Sequence, residues 1–336
     1  MKAIAFALPV LLTIMYVEYY FSKRKGRNYF NFSDSISNLS IGILDRLTSL
    51  LFAGFFYFVY DSIQTKYGVF DIKPILLHWV MLFFIVDFLW YWYHRFSHEV
   101  NLFWTAHVVH HQSEQYNYTV GTRITVFQSF VRLLFWCILP LVGFPAPMII
   151  TLLLIHGLYS FFTHTRLIGK LGFLEKILVT PSHHRVHHAS NGHYLDKNYG
   201  GVFIIWDKLF GTFAEEKSEL QFGLTKPLES RSLLWQLFHF WVELYYDVKE
   251  KKGLWNKIKL LFGKPDDVNP TLRNKLERIF LSTRRRGKLS LAFKYYIITQ
   301  IAISITALIG LLYFSEVVSL FYLITISAFI ILTLIN

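Results

Sequence analysis

Eight of the fourteen histidines in this 336-residue chain stand in three short runs. His94-Arg-Phe-Ser-His98 places two imidazoles one helical turn apart. His107-Val-Val-His110-His111 and His184-Arg-Val-His187-His188 share the spacing i, i+3, i+4. On a helix that spacing spans about 100° of arc, which predicts that all three side chains of a run point into one pocket. At this histidine frequency a random chain of equal length would contain such a triplet about 0.025 times; it occurs twice. Neutral imidazole is the commonest metal ligand and suits iron, zinc, copper or nickel. Eight or nine imidazoles exceed the coordination of one ion, so the spacing predicts two. His164 ends an apolar hairpin next to the cytoplasmic region and is the expected ninth ligand. His183 adjoins that run as ligand or outer support, and His156 is expected to make a structural hydrogen bond. His78 and His239 are read as non-ligands, and His193 is left open.

Imidazole ligands need partners that fix the tautomer. Asp87 lies two turns before His94 on nearly the same helix face, and an acid in an apolar run is a functional candidate. Glu99, Glu114, Asp196 and Asp207 are further candidates, and Arg95 and Arg185 are expected to meet a carboxylate or a headgroup. A single cysteine, Cys137, excludes an internal disulfide and a thiolate cluster. No flavin, haem or iron–sulfur motif is present, so reducing equivalents for any redox reaction must come from outside the chain.

The elements that must position these residues are set by composition. Apolar residues make up 54% of the chain, charged residues 17%, and mean hydropathy is +0.37. That excludes a pair of soluble domains and points to membrane spans. An apolar run from about residue 3 to 21 is followed by Lys23, Arg24, Lys25 and Arg27, which predicts a span whose C-terminal end is cytoplasmic. Residues 33–46 read as an interfacial lead-in to a second crossing at 43–59. A third crossing at 74–93 delivers His94 to the cytoplasmic side. Residues 127–163, broken by Pro140, Gly143, Pro145 and Pro147, predict a hairpin. Residues 165–288 hold 22 of the 34 Lys and Arg and predict a membrane-pressed cytoplasmic region. Within it, 233–246 suits an interfacial amphipathic helix, and Arg284, Arg285, Arg286 and Lys288 form a last basic cluster. Two more apolar runs follow, at 289–313 and 317–334. The net charge of +12 is read as contact with anionic headgroups, not nucleic acid.

The expected architecture is therefore all-α: a polytopic membrane helix bundle with a cytoplasmic histidine-rich metal-binding domain. Residues 1–73 would form N-terminal spans, 74–230 the catalytic core, 231–288 an interfacial basic segment and 289–336 C-terminal spans. A metal transporter would place its ligands at mid-membrane on several spans, whereas here they fall at helix ends. A zinc protein of the same fold, hydrolytic or structural, is the other alternative, because imidazole accepts both metals.

Read in order, HRFSH, HVVHH and HRVHH resemble the membrane-bound fatty acid hydroxylase/sterol desaturase superfamily. The longer strings NLFWTAHVVHHQSEQYNYTVGTR, HTRLIGKLGFLEKILVTPSHHRVHH and DKNYGGVFIIWDKLFGTF look most like its alkylglycerol monooxygenase branch. The resemblance implies a non-haem diiron oxidoreductase that uses O2 to hydroxylate or desaturate a membrane lipid, or to cleave its ether bond. It carries the ligand role to His94, His98, His107, His110, His111, His184, His187 and His188, with His164 added. It suggests site-supporting roles for Glu99 and Asn117, and for Asp196, Asn198 and Tyr199. Two iron ions, with zinc able to replace them in purified protein, and an external electron donor are implied. That donor is tetrahydrobiopterin in so far as the resemblance reaches the ether-cleaving branch.

Overall fold

In the computed structural model, which describes residues 2–281 and 289–335, the chain is helical throughout. Its only β pairings among those residues are two isolated bridges. The expected basic cluster at Arg284–Lys288 lies outside the described residues. The spans follow the apolar runs: α1 (Lys2–Arg24), α2 (Phe32–Tyr67) and α3 (Leu76–Glu99). A short α4 (Asn101–His107) then leaves the third span. The proline-broken stretch folds into α5 (Val126–Trp136), α6 (Ile138–Val142) and α7 (Ala146–Thr163). Next come α8 (Pro181–His187), α9 (Ile205–Leu209), α10 (Leu233–Glu250), α11 (Leu254–Leu261) and α12 (Leu272–Phe280). The chain closes with α13 (Leu291–Tyr313) and α14 (Leu320–Ile335).

Helices α1, α2, α3, α7 and α13 are each long and apolar enough to cross a bilayer; α14 and the α5–α6 pair are apolar but shorter. Their outward faces carry Leu76, Leu134, Leu154 and Phe329, all exposed, which only a lipid surround makes favourable. The protein is an integral membrane protein.

Helix α2 departs from the expected lead-in and crossing. It is one helix of 36 residues, about 54 Å long at 1.5 Å per residue, so it overreaches the bilayer. The polar residues of its first turns are satisfied by the histidine-bearing region rather than by water. Asn38 donates to Ser113 Oγ and Thr119 Oγ1, and Ser113 Oγ donates to Asp34 Oδ2. Asn31 caps the start by accepting from the Asp34 amide.

Two apolar cores hold the spans together. One packs Leu82, Val86 and Trp90 of α3 against Trp136 of α5 and Met148 and Ile149 of α7. The other joins α1, α2, α13 and α14 through Ala5, Leu47, Leu308 and Ile330. The α6–α7 turn needs glycine at 143. Its φ is +121°, and a Cβ there would lie 1.9 Å from the carbonyl oxygen of Phe70. The bundle thus presents one end, where α3 and α7 finish, α2 begins and α4, α8 and α10–α12 gather.

Candidate metal centre

Nine histidines meet at that end, in two groups. His94, His98, His107, His111 and His187 form one; His110, His164, His184 and His188 form the other. Within each group the nitrogens lie within 4.8 Å of one another, and every ring is buried. The expectation that each HxxHH run serves one pocket is corrected here. Residues i and i+4 are only about 40° apart around a helix, whereas i+3 lies about 60° to the other side. His107 and His111 therefore join the first group while His110 joins the second. Conversely His184 and His188 join the second and His187 the first. Over Val108–His111 the chain tightens into a 3-10 turn as it continues α4, and His107 still groups with His111 while His110 joins the other group. The groups touch through the stacked rings of His111 and His188, with centroids 4.4 Å apart.

The spacing fits metal coordination. His107 Nε2 lies 3.2 Å from the Nε2 atoms of both His94 and His111. His164 Nε2 lies 3.2 Å from His110 Nε2 and 3.1 Å from His184 Nε2. Two nitrogens bound to one ion at about 2.1 Å, at an angle between square and tetrahedral, sit about 3.0–3.4 Å apart. Hydrogen bonding does not satisfy these atoms: Nε2 of His98, His187 and His188 has no partner although buried. Buried polar atoms without partners are costly, and a cation held by each group would remove the cost. Burial, reinforced by neighbouring imidazoles, holds His107, His110, His111, His184, His187 and His188 well below the usual histidine range. Burial pushes His164 down to about 4. These seven rings are neutral at physiological pH, with lone pairs free to bind metal.

The opposite ring nitrogens are fixed mainly by backbone. His94 Nδ1 donates to Tyr199 O (2.8 Å), His110 Nδ1 to Arg123 O (3.1 Å), His164 Nδ1 to Ser160 O (2.7 Å) and His187 Nδ1 to Lys197 O (2.9 Å). Gln128 sits 3.1 Å from His107 Nδ1. The carbonyls of Lys197 and Tyr199 are aimed by a turn in which Asp196 and Asn198 both take positive φ, +58° and +56°, a conformation that Asp and Asn tolerate better than most residues. Asn198 locks the turn by donating to His183 O and Ala214 O and accepting from the Ala214 amide. Asp207 accepts from the amides of Tyr199 and Gly200 and from Thr212 Oγ1. Burial raises the Asp207 carboxyl to about 6 despite these bonds.

Asp87 does not support a ligand. It accepts from His156 Nε2 (2.6 Å), the amides of Val202 and Phe203, and Trp206 Nε1. It thereby pins the next stretch of the same loop to α3, and His156 makes the structural hydrogen bond expected of it. His183 caps α8 through Thr180; His239 meets Gln112, His193 meets Ser218 and His78 meets the Lys73 carbonyl. Arg95 and Arg185 meet carboxylates, Glu99 and Glu216.

A cavity of 270 Å³ opens on the first group. His98, His111, His187 and His188 form its floor, Glu99 and Asp196 stand on its wall, and Trp104, Val108 and Phe240 add apolar surface. Asp196 Oδ1 is 3.7 Å from His98 Nδ1. Asn117 does not line this cavity. Its amide is spent on Tyr29 O, to which it donates, and on the Thr119 amide and hydroxyl, from which it accepts. Three buried groups escaped the sequence reading: Gln128, Arg123 and Glu18. The last accepts from the Tyr118 amide (2.7 Å) and Thr165 Oγ1 (2.5 Å), tying α1 to this end of the bundle. An acid in the first apolar run was a visible signal of the kind applied to Asp87.

Residues 79–212, which enclose all nine histidines, match the family model for fatty acid hydroxylase. The chain is 38% identical over 264 residues to alkylglycerol monooxygenase of Homo sapiens, covering 77% of this chain and 58% of that protein. It is 37% identical over 234 residues to the Danio rerio enzyme of the same name, covering 69% and 52%. An ornithine lipid hydroxylase of Rhizobium tropici is 29% identical over 144 residues, 43% of this chain and 44% of that protein. The chain spans about half the length of the alkylglycerol monooxygenases it matches. No solved structure matches it.

Proposed function

Because residues 79–212 are a fatty acid hydroxylase domain, we propose that this chain is a membrane-bound diiron lipid monooxygenase that uses O2 to hydroxylate its substrate or cleave an ether in it. The observation that carries the reading is the pair of adjacent, buried, all-histidine groups beside one cavity. His94, His98, His107, His111 and His187 would hold one iron, and His110, His164, His184 and His188 the other. Bound iron supplies what side chains lack, namely the reduction of O2 and the oxidation of an unactivated C–H bond.

The chain's own residues set the conditions. Where Nδ1 donates to a carbonyl, as in His94, His110, His164 and His187, the ring presents Nε2 in a fixed direction. Glu99, held by Arg95 Nε at 3.0 Å, and Asp196 place carboxylates on the cavity wall, where they can take or return a proton. Asn117 acts behind the site, fixing the loop after His111. Trp104, Val108 and Phe240 give an alkyl or acyl carbon an apolar seat and limit water around it. Electrons come from an external donor, with tetrahydrobiopterin the first candidate because of the likeness to alkylglycerol monooxygenases. Lys23 and Arg24 in the last turn of α1, with Lys25 and Arg27 just after it, lie at the histidine end of the bundle, which supports a cytoplasmic site. Both groups lie at one end of the spans, which favours an enzyme over a transporter.

Metal analysis and lipid mass spectrometry test this. Purified protein should carry about two iron ions per chain, and His110→Ala or His187→Ala should each lower that content and abolish O2-dependent lipid oxidation. Full loading in both variants would end the ligand assignment. Zinc alone, with no gained hydroxyl or double bond and no loss of ether lipid in cells expressing the protein, would favour a hydrolytic or structural zinc site.

A further inference from the structure

Helix α11 turns an apolar face away from the protein. At about 100° per residue, Leu254, Trp255, Ile258 and the following Phe262 fall within about 100° of arc. Leu260, buried against α4 and α10, lies roughly opposite. Asn101 of α4 holds that inner side, donating to Leu260 O from its side chain and to Gly263 O from its amide. On the outer side Leu254, Trp255 and Phe262 are 74%, 75% and 58% exposed. Helix α10 repeats the pattern. Leu234, Phe238 and Tyr245 are exposed along one line, whereas Leu237, Phe240 and Leu244 are buried on the other side.

Charge and position identify what covers these faces. Residues 249–264 contain six lysines and one acid, Glu250, and Lys257 and Lys259 fall on either flank of the α11 apolar face. Apolar residues outward with cations at their edges suit a helix lying in an anionic headgroup layer, where lysines reach up to phosphate. Both helices also sit where the spans emerge. Phe238 packs on Phe127 at the start of α5, and Leu334 and Ile335 at the end of α14 join the core that buries Leu260.

We propose that α10 and α11 lie in the headgroup layer of an anionic bilayer, and that this holds the mouth of the histidine cavity at the lipid surface. The cavity wall is built from these elements: Phe240 and Glu243 of α10, and Lys264, Pro265 and Val268 just after α11. A lipid can then reach the histidines without crossing water. The membrane placement stands independently of the oxygenase reading; the loading role rests on it.

The test uses the full chain in nanodiscs containing phosphatidylserine. In a Cys137→Ser background, nitroxide labels are placed through Trp255→Cys and Phe262→Cys, with Asn256→Cys as the off-face control. Labels at 255 and 262 should collide with O2, which concentrates in lipid, several-fold more than with an aqueous nickel chelate, and 256 should show the reverse. Equal access of the chelate to all three sites would overturn the placement. So would spin–spin broadening at 255 and 262, which would show a second copy covering the face. Should labelled chains not fold, brominated phosphatidylserine should quench the native tryptophan emission, and Trp255→Phe should remove part of that quenching; no change would count against the proposal. For loading, Trp255→Glu should raise the apparent KM for a disc-borne lipid several-fold while leaving metal content and turnover of a detergent-dispersed lipid unchanged. An unaltered KM would remove the loading role. Inactivity of the unmodified chain with the collision pattern intact would count only against the oxygenase reading.

Discussion

Replacing His110 and replacing its neighbour His111 should remove different ions, because the two rings belong to different groups. His110→Ala combined with His188→Ala should cost about one ion per chain, whereas His110→Ala combined with His111→Ala should cost about two, as read by elemental analysis. Arg123 is a second residue whose role follows from its contacts. It is buried, yet its guanidinium meets only neutral acceptors: Val109 O, Asn38 Oδ1, Gln112 Oε1 and Gln236 Oε1. Burial lowers its pKa to about 10, so it stays protonated at neutral pH. It ties α2 and α10 to the second histidine run while its own carbonyl receives His110. Arg123→Lys keeps the charge but cannot supply all four bonds. It should cost roughly 2–4 kcal/mol in detergent-solubilised unfolding and weaken metal retention at the His110 group.

Among the elements, the stretch from Asp196 into the first turn of α9 carries no ligand but orients two of them. Asp87 of α3 holds its far half through two backbone amides and the Trp206 indole. Asp87→Ala leaves those donors and His156 unpaired in a buried place. It should destabilise the fold by roughly 3 kcal/mol or more and lower metal content at the His94 group, measured by thermal melts and elemental analysis. Helix α2 shows why its boundaries misled the sequence reading. The polar stretch containing Asp34 and Asn38 looks like an interfacial segment until Ser113, Thr119 and Gln115 are known to satisfy it. These partners lie more than seventy residues away, beyond any local pattern.

At the scale of the whole molecule, burying so many neutral imidazoles makes stability depend on pH. Unfolded histidine titrates near about 6.5. Its folded pKa here is lowered, to about 4 for His164. Below about pH 6.5 the unfolded chain therefore binds protons that the native state refuses, and stability falls as pH falls. Each such ring contributes up to about 1.4 kcal/mol per pH unit in that window. Melting temperature of the metal-free protein should drop steadily from about pH 7 to about pH 5. At fixed neutral pH, chelation should lower the melting temperature of metal-loaded protein, because bound ions stabilise only the folded state.

Composition and spacing alone determined that this is a helical membrane protein in which nine named histidines share one end of the bundle. Apolar run length is matched to bilayer thickness, and repeated i, i+3, i+4 imidazoles have few other physical uses. Which ring joins which group was decided only in three dimensions. The helical angles between neighbours are local, but the pocket each angle reaches depends on how α3, α4, α7 and α8 are placed against one another. The tautomer-fixing partners were hidden for a related reason. They are mostly backbone carbonyls, which every residue carries, and only the fold selects Lys197, Tyr199, Arg123 and Ser160 to present theirs.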